Sequence, residues 1–242
     1  MRIALLGYGK MGKEIETIAL KRNHTISFRI NRSQLHDMQH LSNENTDVVI
    51  EFTQPDSAFA NIEFCLKRGI PVVCGTTGWL QHFNKVKGMV LDHESAFFYA
   101  SNFSIGVNLF FKLNEYLAGL MKNHPEYFPT MQETHHANKK DAPSGTSIHL
   151  AEGLIKAHGG VSQWVLDVDE RKEGELPIDS IRIGEVPGTH IVFYTSETDE
   201  IKISHEAYNR KGFAEGAVHA ATWLIGKKGV FDMKDMLNSD ER

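Results

Sequence analysis

Gly7-Tyr8-Gly9-Lys10-Met11-Gly12 follows a short apolar run that ends at Leu6 and leads into Met11, Ile15, Ile18 and Ala19 at helical spacing. That order places G-x-G-x-x-G in the turn between a buried strand and a helix, where backbone N–H groups and the helix N-terminus receive a pyrophosphate. The first glycine permits the tight turn, the second lets a phosphate approach, and the third lets helix and strand pack closely. Glycine turns without a ligand share the pattern, and the flanking strand and helix are what point to a dinucleotide. An acid about 20 residues further on usually holds the ribose hydroxyls of NAD. Here the count lands on Asn31, which carries no charge to repel a 2′-phosphate and stands beside Arg32, with Arg29 two residues before it. NADPH is therefore expected to be favoured over NADH, although either arginine also reads as a solvated surface charge.

Further strands are expected at Thr25 to Ile30, Asp47 to Phe52, Ile70 to Cys74 and Ala96 to Ala100, with a helix from about Ser57 to Arg68. Strands alternating with helices need crossover connections and a parallel, doubly wound α/β sheet of Rossmann type. After Asn102-Phe103-Ser104 the pattern changes to a longer amphipathic helix through Leu109, Phe110, Leu113, Leu117 and Met121. Thr130 to His135, Ser180 to Ile183, Thr189 to Thr195 and Glu200 to His205 then read as strands, with one helix at Thr146 to Ala157, which predicts a second, α+β domain. Val161 to Pro177 is polar and aperiodic and reads as a loop, and Phe213 to Leu224 as a helix.

Composition narrows the partners. With 26 Lys+Arg against 31 Asp+Glu the formal net charge is −5, which argues against nucleic acid or an anionic membrane. No apolar run approaches the roughly 20 residues of a spanning helix, and Arg2-Ile-Ala-Leu-Leu-Gly7 lacks the features of a signal peptide. Cys65 and Cys74 match no zinc spacing and read as reduced core thiols of a cytoplasmic protein.

The densest chemistry lies in Glu133-Thr-His135-His136-Ala-Asn-Lys139-Lys140-Asp141, at the end of an expected strand. Two imidazoles and two ammoniums suit a small anionic substrate. The following Asp141-Ala-Pro-Ser144-Gly145-Thr146 is a turn into a helix whose first N–H groups, from Gly145 and Thr146, are placed to bind a carboxylate. Ser144 reads as the turn or N-cap residue rather than a nucleophile. A metal held by His135 and His136 together is disfavoured, because adjacent side chains on a strand point to opposite faces. Three readings remain: a reductase of a small dicarboxylate, another two-domain nicotinamide oxidoreductase such as an amino-acid dehydrogenase, and a dinucleotide-binding sensor without turnover.

The glycine turn, Glu133-Thr-His-His-x-x-Lys139-x-Asp-Ala-Pro-Ser-Gly-Thr146, Glu51-Phe-Thr53, Gly75-Thr-Thr-Gly78, Ala100-Ser-Asn-Phe-Ser-Ile-Gly-Val-Asn108, Arg182-Ile-Gly-Glu-Val-Pro-Gly-Thr-His190 and Phe213-Ala-Glu-Gly-Ala217 occur in one order along the chain. In these motifs it closely resembles the 4-hydroxy-tetrahydrodipicolinate reductase (dihydrodipicolinate reductase) family, over essentially its whole length. The resemblance implies NADH- or NADPH-dependent reduction of a cyclic imine dicarboxylate with loss of water, in diaminopimelate and lysine biosynthesis, by a metal-free homotetramer. It implies His135 as general acid/base, Lys139 as proton donor, and a substrate site at His136, Ser144, Gly145 and Thr146. The cofactor would be lined by Gly7, Tyr8, Gly9, Lys10, Met11, Gly12, Asn31, Arg32, Gly75, Thr76, Thr77, Ala100, Ser101, Asn102 and Phe103. It further implies a discontinuous nucleotide domain, 1–104 with 213–242, around a substrate and oligomerisation domain, 105–212. The chain departs from the common family pattern in a phosphate turn one residue shorter, with Lys10 for an arginine, and in Asn31 where an acid is frequent.

Overall fold

Short runs of β-branched and aromatic residues build the strands of this chain, and helices with one apolar stripe cover them. A computed structural model describes residues 1–168, 172–209 and 211–239. In chain order the first elements are β1 (Arg2–Leu6), α1 (Lys10–Lys21), β2 (Thr25–Ile30), β3 (Val48–Glu51), α2 (Pro55–Leu66), β4 (Val72–Cys74), α3 (Phe83–Asp92), β5 (Ala96–Tyr99) and α4 (Ile105–Met121). There follow β6 (Phe128–His135), α5 (Gly145–His158), β7 (Gln163–Leu166), β8 (Glu175–Arg182), β9 (Gly188–Thr195), β10 (Glu200–Ala207), α6 (Lys211–Leu224), β11 (Gly229–Phe231) and α7 (Met233–Ser239). These form two units, Met1–Ile105 with Lys211–Arg242, and Gly106–Arg210.

In the first unit six strands run in the order β11-β5-β4-β3-β1-β2, every neighbouring pair parallel. The doubly wound α/β architecture expected from the alternation is present. Successive residues of β1 serve opposite faces: Ile3 and Leu5 pack with Ile15 and Ile18 of α1 and with Ala217, Ala221 and Leu224 of α6. Ala4 and Leu6 pack with Ile62 and Leu66 of α2 and with Val86 and Val90 of α3. From β1 the chain moves first to β2 and then back to β3 on the other side. The carboxyl ends of β1 and β3 therefore flank the switch point at which such sheets bind ligands.

The second unit is a mixed sheet, β10-β9-β6-β8-β7, antiparallel at β6/β9 and β9/β10 and parallel at β6/β8 and β7/β8. Met131, Ile178, Val192 and Tyr194 cover one face with Phe110 and Ala118 of α4 and Leu150 and Leu154 of α5. The Val161–Pro177 loop reading needs correction: Gln163–Leu166 and the start of Glu175–Arg182 are paired strands, with Val165 opposite Pro177. Pro177 and the acidic residues near it hide the pattern, since a proline normally argues against an interior strand. Residues 169–171 of that stretch lie outside the described residues. Helix α3 and the three-residue β11 were not expected from the sequence either, being short and partly polar.

The return of α6 to the first unit depends on Gly216. A Cβ there would lie 1.7 Å from the Phe103 carbonyl oxygen, and that atom is backbone with little freedom to move. Gly216→Ala is expected to destabilise the protein by about 1–3 kcal/mol or more. Gly119→Ala, at a helical site with open space around the new methyl, should be neutral or stabilising by up to about 1 kcal/mol. Urea unfolding of the two variants beside the parent checks the pair, and equal midpoints would contradict the packing described.

Candidate active site

The nucleotide half is built at the end of β1. Gly7 has φ +94°, and a Cβ on it would fall 1.9 Å from the Phe52 carbonyl oxygen; one on Gly12 would fall 2.4 Å from the carbonyl oxygen of Gly7. At Gly9 a Cβ would meet no protein atom within 4 Å, so the space over the turn is open. Gly9 is also the N-cap of α1 and offers no side-chain acceptor, which leaves first-turn N–H groups for an anion. A cavity of about 580 Å³ is lined by Gly7, Tyr8, Gly9, Asn31, Arg32 and Met38, among others. A recess of about 310 Å³ takes in Met11, Phe52, Gly75, Thr76 and Thr77. The space and the donors fit a dinucleotide.

The polar residues around the turn divide their tasks. Arg29 is held by Glu16, which also accepts from the Tyr8 hydroxyl. Arg32 instead lines the cavity. Asn31 Oδ1 accepts from the Ser33 N–H at 2.9 Å and its hydroxyl at 2.7 Å, capping the turn that follows β2. Behind the recess, buried Glu51 accepts from the Thr53 hydroxyl and, at 3.2 Å, from the Cys74 thiol. Thr53 N–H donates to Thr76 Oγ1 at 2.8 Å and Trp79 Nε1 to the Thr76 carbonyl at 2.8 Å, which fixes the Gly75–Thr77 loop. Burial, with Glu51 adding to it, raises the Cys74 thiol far above its ordinary range and takes Cys65 to about 12.

Some expected cofactor residues stand elsewhere. Lys10 is exposed on the first turn of α1, and Gly12 is buried beneath the turn. Neither cavity is lined by Ala100, Ser101, Asn102 or Phe103. Asn102 Oδ1 accepts from the Ser104 N–H at 2.9 Å, and Phe103 is a core ring stacked on Phe98.

The second cluster of expected site residues lies at the end of β6, where the alternation along the strand puts Glu133 and His135 on the covered face, both buried. Glu133 Oε2 accepts from the Ser144 N–H at 3.0 Å and the Ser147 hydroxyl at 2.6 Å, while Oε1 accepts from the Ser180 hydroxyl at 3.0 Å and from Arg182 at 2.6 Å. His136 follows the strand and is half-exposed. Lys139 Nζ donates to both carboxylate oxygens of Asp141, at 2.8 and 2.9 Å. The Ala142–Pro143 peptide is cis, and Ser144 then caps α5, its hydroxyl accepting from Ser147 N–H at 3.2 Å and lying 3.2 Å from His190 Nε2. Ser144 thus serves the site as the cap, because its side chain and N–H both turn inward. The first-turn N–H groups of Gly145 and Thr146 have no helical acceptor.

Burial would push the Glu133 carboxyl up, yet the donors from Ser144, Ser147 and Arg182 outweigh it and hold the group at about 2. Burial lowers His135, with Lys139 and Arg182 acting in the same sense and Glu133 and Asp141 opposing. Burial, with His135 adding to it, lowers His190 to about 4. Glu133, His135 and His190 bring ligand-type atoms within 4.8 Å of one another. The Glu133 oxygens are already filled by four donors, one of them a guanidinium, which is poor ground for a further cation.

Sequence reasoning assigned no role to Ser147, Ser180, Arg182 or His190, although it noted the Arg182–His190 stretch. The period-2 pattern of β6 already placed Glu133 beside His135; the donors come from distant elements and leave no spacing signal.

A histidine lowered by folding contributes stability that is full above its unfolded value, near 6.5, and is lost as pH falls through the folded value, about 4 for His190. Urea midpoints should therefore fall from about pH 6.5 to 4, more shallowly in His190→Asn than in the parent. Parallel curves would show that His190 is not buried in its neutral form.

Two family models match the chain in tandem: dihydrodipicolinate reductase, N-terminus, over residues 1–103, and dihydrodipicolinate reductase, C-terminus, over residues 106–237. Over 239 residues the chain is 48% identical to a 4-hydroxy-tetrahydrodipicolinate reductase of Christiangramia forsetii, covering 98% of each. The dipicolinate-bound dihydrodipicolinate reductase from Paenisporosarcina sp. TG-14 superposes with TM-score 0.77 at 22% identity, over 97% of this chain and 98% of that one. A probable dehydrogenase from Thermotoga maritima gives TM-score 0.56 at 11% identity, over 92% of this chain and 87% of its own, a likeness of fold alone. The chain belongs to the dihydrodipicolinate reductase family.

Proposed function

We propose that the chain reduces (2S,4S)-4-hydroxy-2,3,4,5-tetrahydrodipicolinate to tetrahydrodipicolinate and water with NAD(P)H, in diaminopimelate and lysine biosynthesis. The observation that carries the reading is that Glu133 and Arg182 tie the start of α5, with the first-turn N–H groups of Gly145 and Thr146, to the strand end that carries His135 and the loop that carries Lys139. A sensor would have no use for that combination. The dihydronicotinamide, when bound, supplies the hydride. Everything else falls to the chain's own residues. Gly145, Thr146 and His136 receive the substrate carboxylates, with Ser144 holding the helix start in place. The 4-hydroxyl leaves with a ring proton as water, giving a conjugated imine; hydride arriving there leaves electron density on the ring, and a proton must meet it. His135 acts as general acid/base and Lys139 as the proton donor, its ammonium oriented by Asp141. Fixing the dicarboxylate ring before reaction makes the encounter effectively unimolecular.

On the nucleotide side, Gly7 to Gly12 take the pyrophosphate, Gly75 to Thr77 line the nicotinamide end with the Ala100–Phe103 segment beside them, and Asn31 and Arg32 meet the adenosine ribose. NADPH is favoured: Asn31 leaves no negative charge at the 2′ position, and Arg32 lines that cavity. No metal takes part in this scheme. The enzyme works as a cytoplasmic homotetramer. In support, both cysteines are free and buried. The sheet face away from α4 and α5 keeps Thr130, Gln132, Ile191 and Phe193 partly exposed.

Substrate-dependent oxidation of NADPH and NADH, followed by absorbance with freshly generated substrate, tests the reading; tight cofactor binding without oxidation would defeat it. His135→Ala and Lys139→Ala should each lower turnover about 10²-fold or more with the Kd for NADPH nearly unchanged. Unaltered turnover in both would remove these assignments. Asn31→Asp keeps an N-cap of equal quality and should move the NADPH/NADH affinity ratio toward NADH in fluorescence titrations; an unmoved ratio would count against Asn31 as the selecting position.

A further inference from the structure

Glu133 is completely buried and takes no step in the chemistry above. Its surroundings are more specific than neutralising a buried charge demands. One oxygen is held by Ser144 and Ser147 at the start of α5, the other by Ser180 and Arg182 of β8. A single carboxylate thereby ties the anion-receiving helix start to the strand beside β6. Arg182 extends the tie, donating from the same nitrogen to the Asp141 carbonyl at 2.7 Å, in the loop that carries Lys139. Two residues along the strand face, His135 Nδ1 is buried with no hydrogen-bond partner among the described residues, 3.7 Å from Glu133 Oε2. That gap is too long for a hydrogen bond and short enough for an ion pair once the ring is protonated. The far side of the ring is set by Gly188, where a Cβ would lie 3.1 Å from His135 Nε2.

A charge relay onto Ser144 does not explain the carboxylate. Glu133 approaches His190 at Nε2, 3.9 Å away, the same nitrogen that faces the Ser144 hydroxyl. A relay needs the carboxylate on the opposite ring nitrogen.

We infer that Glu133 is a positioning residue of the substrate half-site, which fixes the helix start at Ser144 and stands as counter-charge to His135 whenever that ring carries a proton. Other charged or titratable groups face the pair: Lys139 and Asp141 from the loop, Arg182 from β8, His190 from β9 and, beyond His190, His205 from β10. Each keeps its identity in the variants below. The kinetic part of the inference rests on the reductase reading; the titration part does not.

Glu133→Gln removes the charge with little change in shape. The expected result is a raised substrate KM, a kcat/KM lowered about 10²-fold, an unchanged Kd for NADPH, and a His135 ring titration, followed by NMR at Cε1–H, moved to lower pH. Ser180→Ala removes one donor, leaves the charge, and should move the same titration to higher pH; it carries the test if the glutamine variant does not fold. A His135 titration that stays in place in the folded variants, or a loss of kcat with KM and titration intact, would overturn the inference. Shifted titrations in a protein that does not turn over the substrate would leave the positioning role standing and remove only the reductase reading.

Discussion

A carboxylate sealed away from water stays ionised only where several donors converge on it, and the second unit is arranged around that requirement at Glu133. Its four donors come from the start of α5 and from β8, so meeting the charge and joining helix start to strand are one event. Removing any donor leaves part of a buried charge unmet. Converging polar networks of this kind cost more when half-formed than an apolar core would, and they favour one arrangement of strand, helix and loop over its neighbours.

The nucleotide unit also buries an acidic side chain at a strand end, with different donors around it. Glu51, also fully buried, is met by a thiol, a hydroxyl and an amide rather than by a cation. The result is a link between the ends of β3 and β4, adjacent strands whose loops border the Gly75–Thr77 recess. In both units an interior carboxylate at a strand end organises the loop that follows, and the residues proposed to face ligand are carried on that loop.

Much of this was legible in the sequence because its determinants are local. Strand, glycine turn and helix are neighbours along the chain, and the expected open space at Gly9 is present. Ser144 as cap of α5 followed from its place before Gly145 and Thr146. What escaped depends on distance. Arg182 reaches Glu133 across 49 positions and His190 reaches Ser144 across 46, and no periodicity encodes such pairings. The strand pairing within 163–177 was hidden for a different reason: Pro177 sits in an interior strand opposite Val165, where propensity argues against it and tertiary pairing overrides. Arg29 and Arg32 looked equivalent in sequence, and only the fold shows that Glu16 already holds the first.

The buried thiols give the nucleotide unit a built-in clock. Cys65 on α2 and Cys74 on β4 are inaccessible and strongly protonated, so neither reacts with an alkylating reagent while the sheet is closed. Modification must then wait for an opening that exposes the core between α2 and the sheet, and its rate reports how often that opening occurs. No other cysteine is present in the chain to confuse the signal. The breathing of one unit can be followed by mass in an unaltered protein, without a label on the substrate half.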